Sequence, residues 1–218
     1  MEIFKVIITD DHKIFRTGLT VLLNSLNFIK VVAEVSNGIE LLECNQLNEV
    51  DIIFMDINMP EMNGIEATRK VLEKYPKSKI IALTMFSDAE YFHQMLDAGA
   101  VGFLLKNSER EEIEKAIRMV VADENYFSEQ LIIDLMQNKT ILLANEKIKF
   151  NSSIKVTKRE QEILKLICKG LSNQEIADKL FISQRTVQGH RANLISKTDS
   201  KNSIDLVVFA IRNKLVEI

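Results

Sequence analysis

Two fold classes follow one another in this sequence: an α/β domain built on a five-stranded parallel sheet, then an all-α domain. Three observations predict this. The first ~120 residues alternate short, nearly continuous apolar runs with segments of helical periodicity, the pattern of strands covered on both faces by helices. From Thr157 onward every periodic segment is helical. The charge also divides there: residues 1–156 carry 17 Lys and Arg against 24 Asp and Glu, and the remainder carries 11 against 7. An acidic front and a basic back suit two domains with different partners, and the small basic surplus permits nucleic-acid binding without establishing it.

Composition excludes several classes. With 46% apolar and 27% charged residues the chain reads as an ordinary globular protein. No apolar stretch approaches the ~20 residues needed to span a bilayer. The opening MEIFKVIITDD reads as a strand rather than a signal peptide, lacking a basic start and a long apolar region. Cys44 and Cys168 are far apart and lack metal-ligand spacing, which fits small buried apolar side chains in a reducing compartment; a cytoplasmic location follows.

The strands are expected at Phe4–Thr9, Ile29–Glu34, Ile52–Met55, Ile80–Leu83 and Gly102–Leu105. Amphipathic helices fall between them at Lys13–Asn24, Gly38–Gln46, Gly64–Tyr75, Ala89–Ala98 and Glu109–Ala122. Ser87–Glu90 and Ser108–Glu111 have the Ser-x-x-Glu spacing of a capping box. Right-handed crossovers between such units give a parallel sheet in the order 2-1-3-4-5, the flavodoxin-like arrangement. Residues 1–122 therefore form the first domain. Residues 123–156 read as a partly ordered connector, with a short helix Glu129–Met136 capped by Ser128 and a mixed stretch through Asn151, Ser152 and Ser153. In residues 157–218, capping boxes at Thr157–Glu160 and Ser172–Glu175 flank Gly170, a suitable C-cap glycine.

Chemistry gathers at the strand ends. Asp10 and Asp11 follow the first strand, Asp56 the third, Thr84 the fourth and Lys106 the fifth. Parallel strands present their carboxyl ends on one edge, where open α/β folds bind ligands. Three close carboxylates repel unless a cation neutralises them, and an all-oxygen set that keeps water suits Mg²⁺ better than Zn²⁺. Carboxylates, a hydroxyl, an ammonium and a metal together suit phosphoryl transfer, with a carboxylate as nucleophile. A flavin-binding alternative on the same fold fares poorly, because Thr-Asp-Asp-His after the first strand is too acidic to cradle a phosphate.

Asp10-Asp11, Asp56-Ile-Asn-Met-Pro-Glu-Met-Asn-Gly64, Ala82-Leu-Thr84 and Gly102-Phe-Leu-Leu-Lys106 resemble the receiver-domain signature in order and spacing over residues 1 to about 122. The resemblance implies that Asp56 accepts a phosphoryl group from a sensor histidine kinase. It implies Mg²⁺ held by Asp11, Asp56 and the Asn58 backbone carbonyl, with Asp10 assisting through water. It also implies that Lys106 contacts the phosphoryl group, Thr84 bonds it after activation, and Phe103 is the aromatic switch. A phosphoryl group adds about −1.5 to −2 charges and strong acceptor oxygens, so Thr84 donating to one would draw its loop inward and open space for Phe103. Asn107 stands where many receivers have proline. Phe86, two residues past Thr84, is expected to overhang the pocket and slow hydrolysis.

In the second domain, two helical patterns, Asn173–Lys179 and Gln184–Lys197, are separated by Leu180-Phe-Ile-Ser183. Val187, His190 and Leu194 fall on one stripe suited to packing, and the opposite face carries Arg185, Gln188, Gly189, Ala192 and Ser196, with Arg191 flanking it. A helix with small and polar residues outward suits the major groove. His190 reads as structural, and His12 and His93 are equally uninformative. Thr157-Lys-Arg-Glu160, Gly170-Leu-Ser-Asn-Gln-Glu-Ile-Ala177, Ile182-Ser183, Thr186-Val187 and His190-Arg191-Ala-Asn193 resemble the LuxR-type helix-turn-helix over residues 157–212. With the receiver signature they place the whole chain with the NarL/FixJ type of response regulator. That likeness implies base contacts at Gln188, Gly189 and Ala192 and backbone contacts around Arg185, Arg191 and Lys197. Lys197-Thr-Asp-Ser-Lys-Asn lacks the common Leu-Gly pair of that turn.

The last helix, Ile204–Asn213, carries Ile204, Val207, Val208 and Ile211 on one face and Leu206 and Phe209 on another. One stripe suffices for an isolated domain, so Leu206, Val207, Phe209 and Ile211 are expected to form a dimer surface; packing of both stripes into so small a core is the alternative. The sequence thus reads as a phosphorylation-controlled, dimeric regulator of transcription that binds double-stranded DNA and is no metabolic enzyme. Two other readings are a constitutive DNA-binding protein with a merely dimerising front domain, and a phosphate-handling enzyme acting on small molecules, for which no substrate pocket or second catalytic base is seen.

Overall fold

A computed structural model of the chain describes residues 3–85, 89–137, 156–213 and 215–216. It divides into two compact units, Met1–Asp123 and Glu124–Ile218. Phe86, the Ser87 capping box and the stretch with Asn151, Ser152 and Ser153 lie outside the described residues.

In the first unit, β1 (Phe4–Thr9), β2 (Ile29–Val35), β3 (Ile52–Asp56), β4 (Lys79–Thr84) and β5 (Gly102–Leu105) stand in the order β2-β1-β3-β4-β5 with every neighbouring pair parallel. The expected order is met. Strand β3 is buried at every position, as its unbroken apolar run requires of a central strand. The connecting helices are α1 (Lys13–Asn24), α2 (Gly38–Glu43), α3 (Gly64–Lys74), α4 (Ala89–Ala98) and α5 (Arg110–Val121). Asn37 and Asn63 cap α2 and α3 through their side-chain oxygens. Lys79 closes the other end of α5, donating to Val120 O at 2.8 Å and Val121 O at 2.9 Å and pairing with Asp123 at 2.7 Å. The capping box expected at Ser108 is absent: Ser108 N bonds Leu105 O in a turn, so α5 starts one residue later with Glu109 in the N-cap position and no side-chain cap.

The second unit opens with a two-residue strand, β6 (Tyr126–Phe127), which hydrophobic periodicity does not foresee at that length. Ser128 Oγ accepts from Leu131 N at the start of α6 (Glu129–Gln137), as its sequence position suggests. Then come α7 (Lys158–Cys168), α8 (Asn173–Leu180), α9 (Gln184–Thr198) and α10 (Ser203–Arg212). Both capping boxes are formed, Thr157 with Glu160 and Ser172 with Glu175, each N-cap contributing about 1 kcal/mol. Gly170 takes φ +67 just past α7, the left-handed position that ends a helix most cheaply at glycine. The core includes Ile163, Leu164, Ile167, Ile176, Val187 and Leu194.

Most of the residues expected on a dimer surface of α10 pack inside the unit itself. Leu206, Val207 and Ile211 are buried together with Ile204, Val208 and Ala210, and Phe209 is half-buried. Helix α10 packs on α7 and α9, and a unit this small uses both of its apolar stripes to close its core. Cys168 is buried, which pushes its thiol up to about 12, while Cys44 is half-exposed.

Candidate functional site

The register of the sheet delivers four side chains to one edge. Asp10 follows β1, Asp56 closes β3 opposite Leu83, Thr84 closes β4 opposite Leu105, and Lys106 follows β5. Lys106 N donates to Thr84 O at 2.9 Å, extending the ladder one step. Its ammonium then stands 2.8 Å from Asp10 Oδ2 and 2.8 Å from Asp56 Oδ2. Asp10 is fully buried and Asp56 nearly so, whereas Asp11 lies exposed on the rim.

The electrostatics follow from one ammonium serving two buried carboxylates. Burial raises the Asp56 carboxyl from 3.8 to about 6; Lys106 opposes the rise, and the charges of Asp10 and Asp11 add to it. Burial also disfavours the Lys106 charge, but hydrogen bonds to Asp10 and Asp56 outweigh it and hold its pKa above the ordinary lysine value. Apart from Lys106, neither Asp10 Oδ2 nor Asp56 Oδ2 has a hydrogen-bond partner among the described residues. Ligand atoms of Asp10, Asp11, His12 and Asp56 lie within 4.8 Å of one another. Hard carboxylate oxygens with spare acceptor capacity fit a hard divalent cation. The acidic pocket is typical of a receiver's Mg²⁺ site.

Backbone packing fixes Asp56. A Cβ on Gly64 would stand 2.0 Å from Asp56 O, and Gly64 N donates to Ile57 O at 2.9 Å. The loop after β3 therefore returns against its own strand only with glycine at position 64. Asn58 is exposed in that loop. Thr84 Oγ1 donates to Met85 O at 3.0 Å. Phe103 is fully buried, its ring centroid 4.5 Å from that of Phe92 on α4.

Two pocket neighbours escape sequence reading. The backbone N–H of His12 donates to Asp10 Oδ1 at 2.8 Å, and its Nδ1 stands 2.7 Å from Asp11 Oδ1. Arg16, one helical turn later, donates to the Asp10 carbonyl.

The second candidate surface lies on α9. Arg185, Gln188, Gly189, Ala192 and Lys197 are exposed. Arg191 departs from the expected backbone contact: it is buried, and its Nη2 donates to Leu171 O at 2.9 Å. At 100° per residue Arg191 sits roughly 40° from Val187 and His190 roughly 60° away on the other side, so Arg191 takes the stripe with Val187, Leu194 and Thr198 while His190 is only half-buried. Burial lowers the Arg191 pKa, and the Glu124 carboxylate offsets part of that. Glu124 itself accepts from Asn173 N at 2.9 Å, at the start of α8. Lys197 is exposed yet paired with Glu160 at 2.7 Å, which ties α9 to the first turn of α7. Burial disfavours the Glu160 charge, but Lys197 and Thr157 outweigh it and hold the carboxyl below its usual range.

An acid-lined pocket at the carboxyl edge of a parallel sheet, ahead of a helix-turn-helix, defines a signal-receiving DNA-binding protein. The family model for the response regulator receiver domain matches residues 6–118, and that for bacterial regulatory proteins, luxR family, matches residues 155–210. The chain belongs to the response-regulator family: it is a two-component response regulator with a LuxR-type DNA-binding domain, a transcription factor rather than a catalytic enzyme. Among curated relatives it is 38% identical to the oxygen regulatory protein NreC of Staphylococcus epidermidis, over 98% of this chain and 99% of that one. Among solved structures it resembles the response regulator ChrA of a heme-sensing two-component system, with 29% identity, a TM-score of 0.55 and coverage of 99% and 100%. It also resembles RcsB, solved as two dimers bound to two parallel DNAs, with 25% identity, a TM-score of 0.57 and coverage of 95% and 98%. No helix among the described residues is long and apolar enough to cross a membrane.

Proposed function

We propose that Asp56 is the phosphoacceptor of this regulator and that its phosphorylation controls DNA binding by the second unit. The observation that carries the reading is the Lys106 ammonium held 2.8 Å from Asp56 in a pocket that burial and neighbouring carboxylates leave short of positive charge. Asp11, Asp56 and the Asn58 carbonyl would hold Mg²⁺, with Asp10 behind them; when bound, the ion supplies charge neutralisation for the transferring phosphoryl group.

An Asp56 carboxylate oxygen attacks the phosphorus of a kinase phosphohistidine. The new O–P bond forms as the P–N bond breaks, and the imidazole leaves with the bonding pair. Lys106 contacts a phosphoryl oxygen and offsets the charge that arrives on Asp56. Thr84 turns its hydroxyl from Met85 O to a phosphoryl oxygen, and Phe103 rotates toward the volume the loop vacates. Residues 1–122 receive the signal, residues 123–156 connect, and residues 157–218 bind DNA in the cytoplasm. Arg185, Gln188, Gly189 and Ala192 face the duplex, Gln188 and Arg185 carrying the polar contacts. RcsB, solved on DNA as dimers, supports a homodimer on DNA here too, formed through surfaces other than the buried face of α10.

Recovery of duplexes from a random-sequence pool by the full chain, with and without acetyl phosphate and Mg²⁺, tests the reading. Phosphodonor should raise recovery by the wild type and leave Asp56→Asn unchanged. Equal recovery by the wild type under both conditions would overturn control by phosphorylation.

A further inference from the structure

Phe181 is 95% exposed, an extreme value for a phenylalanine. It closes α8 with φ 54 and ψ 45, the left-handed conformation. That region suits glycine or asparagine at the end of a helix and penalises a bulky side chain. The other non-glycine residues with positive φ among the described positions are Glu61, Asp123 and Asp199, all carboxylates. Short polar side chains such as aspartate tolerate the conformation through local hydrogen bonds, which a phenyl ring cannot make.

The backbone needs the turn, since Phe181 N reaches Asp178 O and Ile182 N reaches Ala177 O at 3.0 Å. It does not need the ring. At 95% exposure the ring contributes almost no burial to the fold, so its apolar surface is available to a partner outside the chain.

The place of the turn in the chain points to the partner. It runs directly into α9, where Ser183 accepts from Thr186 N and the exposed Arg185, Gln188, Gly189 and Ala192 follow. Phe181 therefore stands two residues before the N-cap of the helix assigned to DNA. Of the four residues assigned to the duplex, Gly189 and Ala192 bring no polar head, which leaves Arg185 and Gln188 to make their hydrogen bonds. The major groove also offers an apolar feature, the thymine methyl, and its edge is lined by deoxyribose; phenylalanine is suited to both.

We propose that Phe181 is a DNA-contacting residue whose ring lies against apolar atoms of the duplex beside the groove entered by α9. The proposal rests on the assignment of α9 to DNA. An apolar contact carries no charge, so it adds affinity without adding to the salt dependence that phosphate contacts produce.

The test uses the full chain and a duplex recovered by the wild type from a random-sequence pool. Phe181→Gly and Phe181→Asn both suit the left-handed turn, and their melting temperatures report that the turn stands. Both variants should bind roughly tenfold more weakly, with the slope of log K against log salt unchanged. Replacing thymine by deoxyuridine separates the two apolar sources. Loss of wild-type affinity to the level of the variants identifies the methyl, and persistence of the difference identifies deoxyribose. Wild-type affinity in both variants would overturn the ring contact, as would a loss accompanied by a flatter salt slope. Recovery of no duplex by the wild type would overturn the assignment of α9 itself.

Discussion

Lys106 Nζ stands 2.8 Å from Asp56 and 2.8 Å from Asp10, so a single ammonium compensates two buried carboxylates. With Asp11 on the rim, the pocket carries more negative charge than its one lysine balances. Divalent cation binding should therefore stabilise the folded state. Melting temperatures should climb with the logarithm of Mg²⁺ concentration once it exceeds Kd, the gain reaching about 2.7 kcal/mol at 100 times Kd. Asp11→Asn should move the onset of that rise to higher Mg²⁺ concentration; an unmoved onset removes Asp11 from the site.

The raised Asp56 pKa has a definite sign. Its folded value of about 6 exceeds the unfolded 3.8, so protonated Asp56 favours folding; that contribution is complete below pH 3.8 and lost as pH rises through about 6. Asp56→Asn lacks this dependence. In EDTA the variant should gain on the wild type between pH 4 and 7, by up to about 3 kcal/mol. Denaturant melts at several pH values measure this, and a gap that stays constant with pH contradicts the burial of a charged Asp56.

Removing Lys106 leaves both buried carboxylates uncompensated. Lys106→Met should cost about 3 kcal/mol or more in metal-free buffer, and adding Asp56→Asn should restore part of it. Additive effects of the two substitutions in the double variant would mean that the two residues are not coupled.

Gly64→Ala places a methyl 2.0 Å from the Asp56 carbonyl, which strand β3 holds rigidly. The loop must move, at about 2 kcal/mol or more in urea melts. Because that shift moves Asp56, phosphorylation should slow in the same variant.

Two arginines on one helix should behave oppositely. Arg185→Ala, at an exposed position, should leave melting unchanged and flatten the salt slope of DNA binding by about one unit. Arg191→Ala removes the buried donor to Leu171 O and leaves Glu124 without its neighbouring charge, so it should lower stability and leave the slope unchanged.

The legibility of this chain varied with the range of the forces involved. Strands β1 and β5 fall where apolar periodicity puts them, and Asp10, Asp56, Thr84 and Lys106 meet because a parallel sheet aligns its carboxyl ends. The capping boxes at Thr157 and Ser172 are local and were readable, whereas Ser108 lost its box to a turn with Leu105. Arg191 and α10 are more deeply buried than expected for a different reason. Periodicity names a stripe but not its width, and a small unit buried more of each helix than one stripe. His12 went unread because its role depends on Asp10 and Asp11 turning toward it, which no spacing rule encodes.

The measurement that bears most directly on the central claim is the intact mass of the full chain after incubation with acetyl phosphate and Mg²⁺, run beside Asp56→Asn. The account predicts one phosphoryl adduct on the wild type, dependent on Mg²⁺ and absent from the variant. An adduct of equal yield on Asp56→Asn, or none on folded wild type with either acetyl phosphate or a phosphorylated kinase as donor, would contradict it.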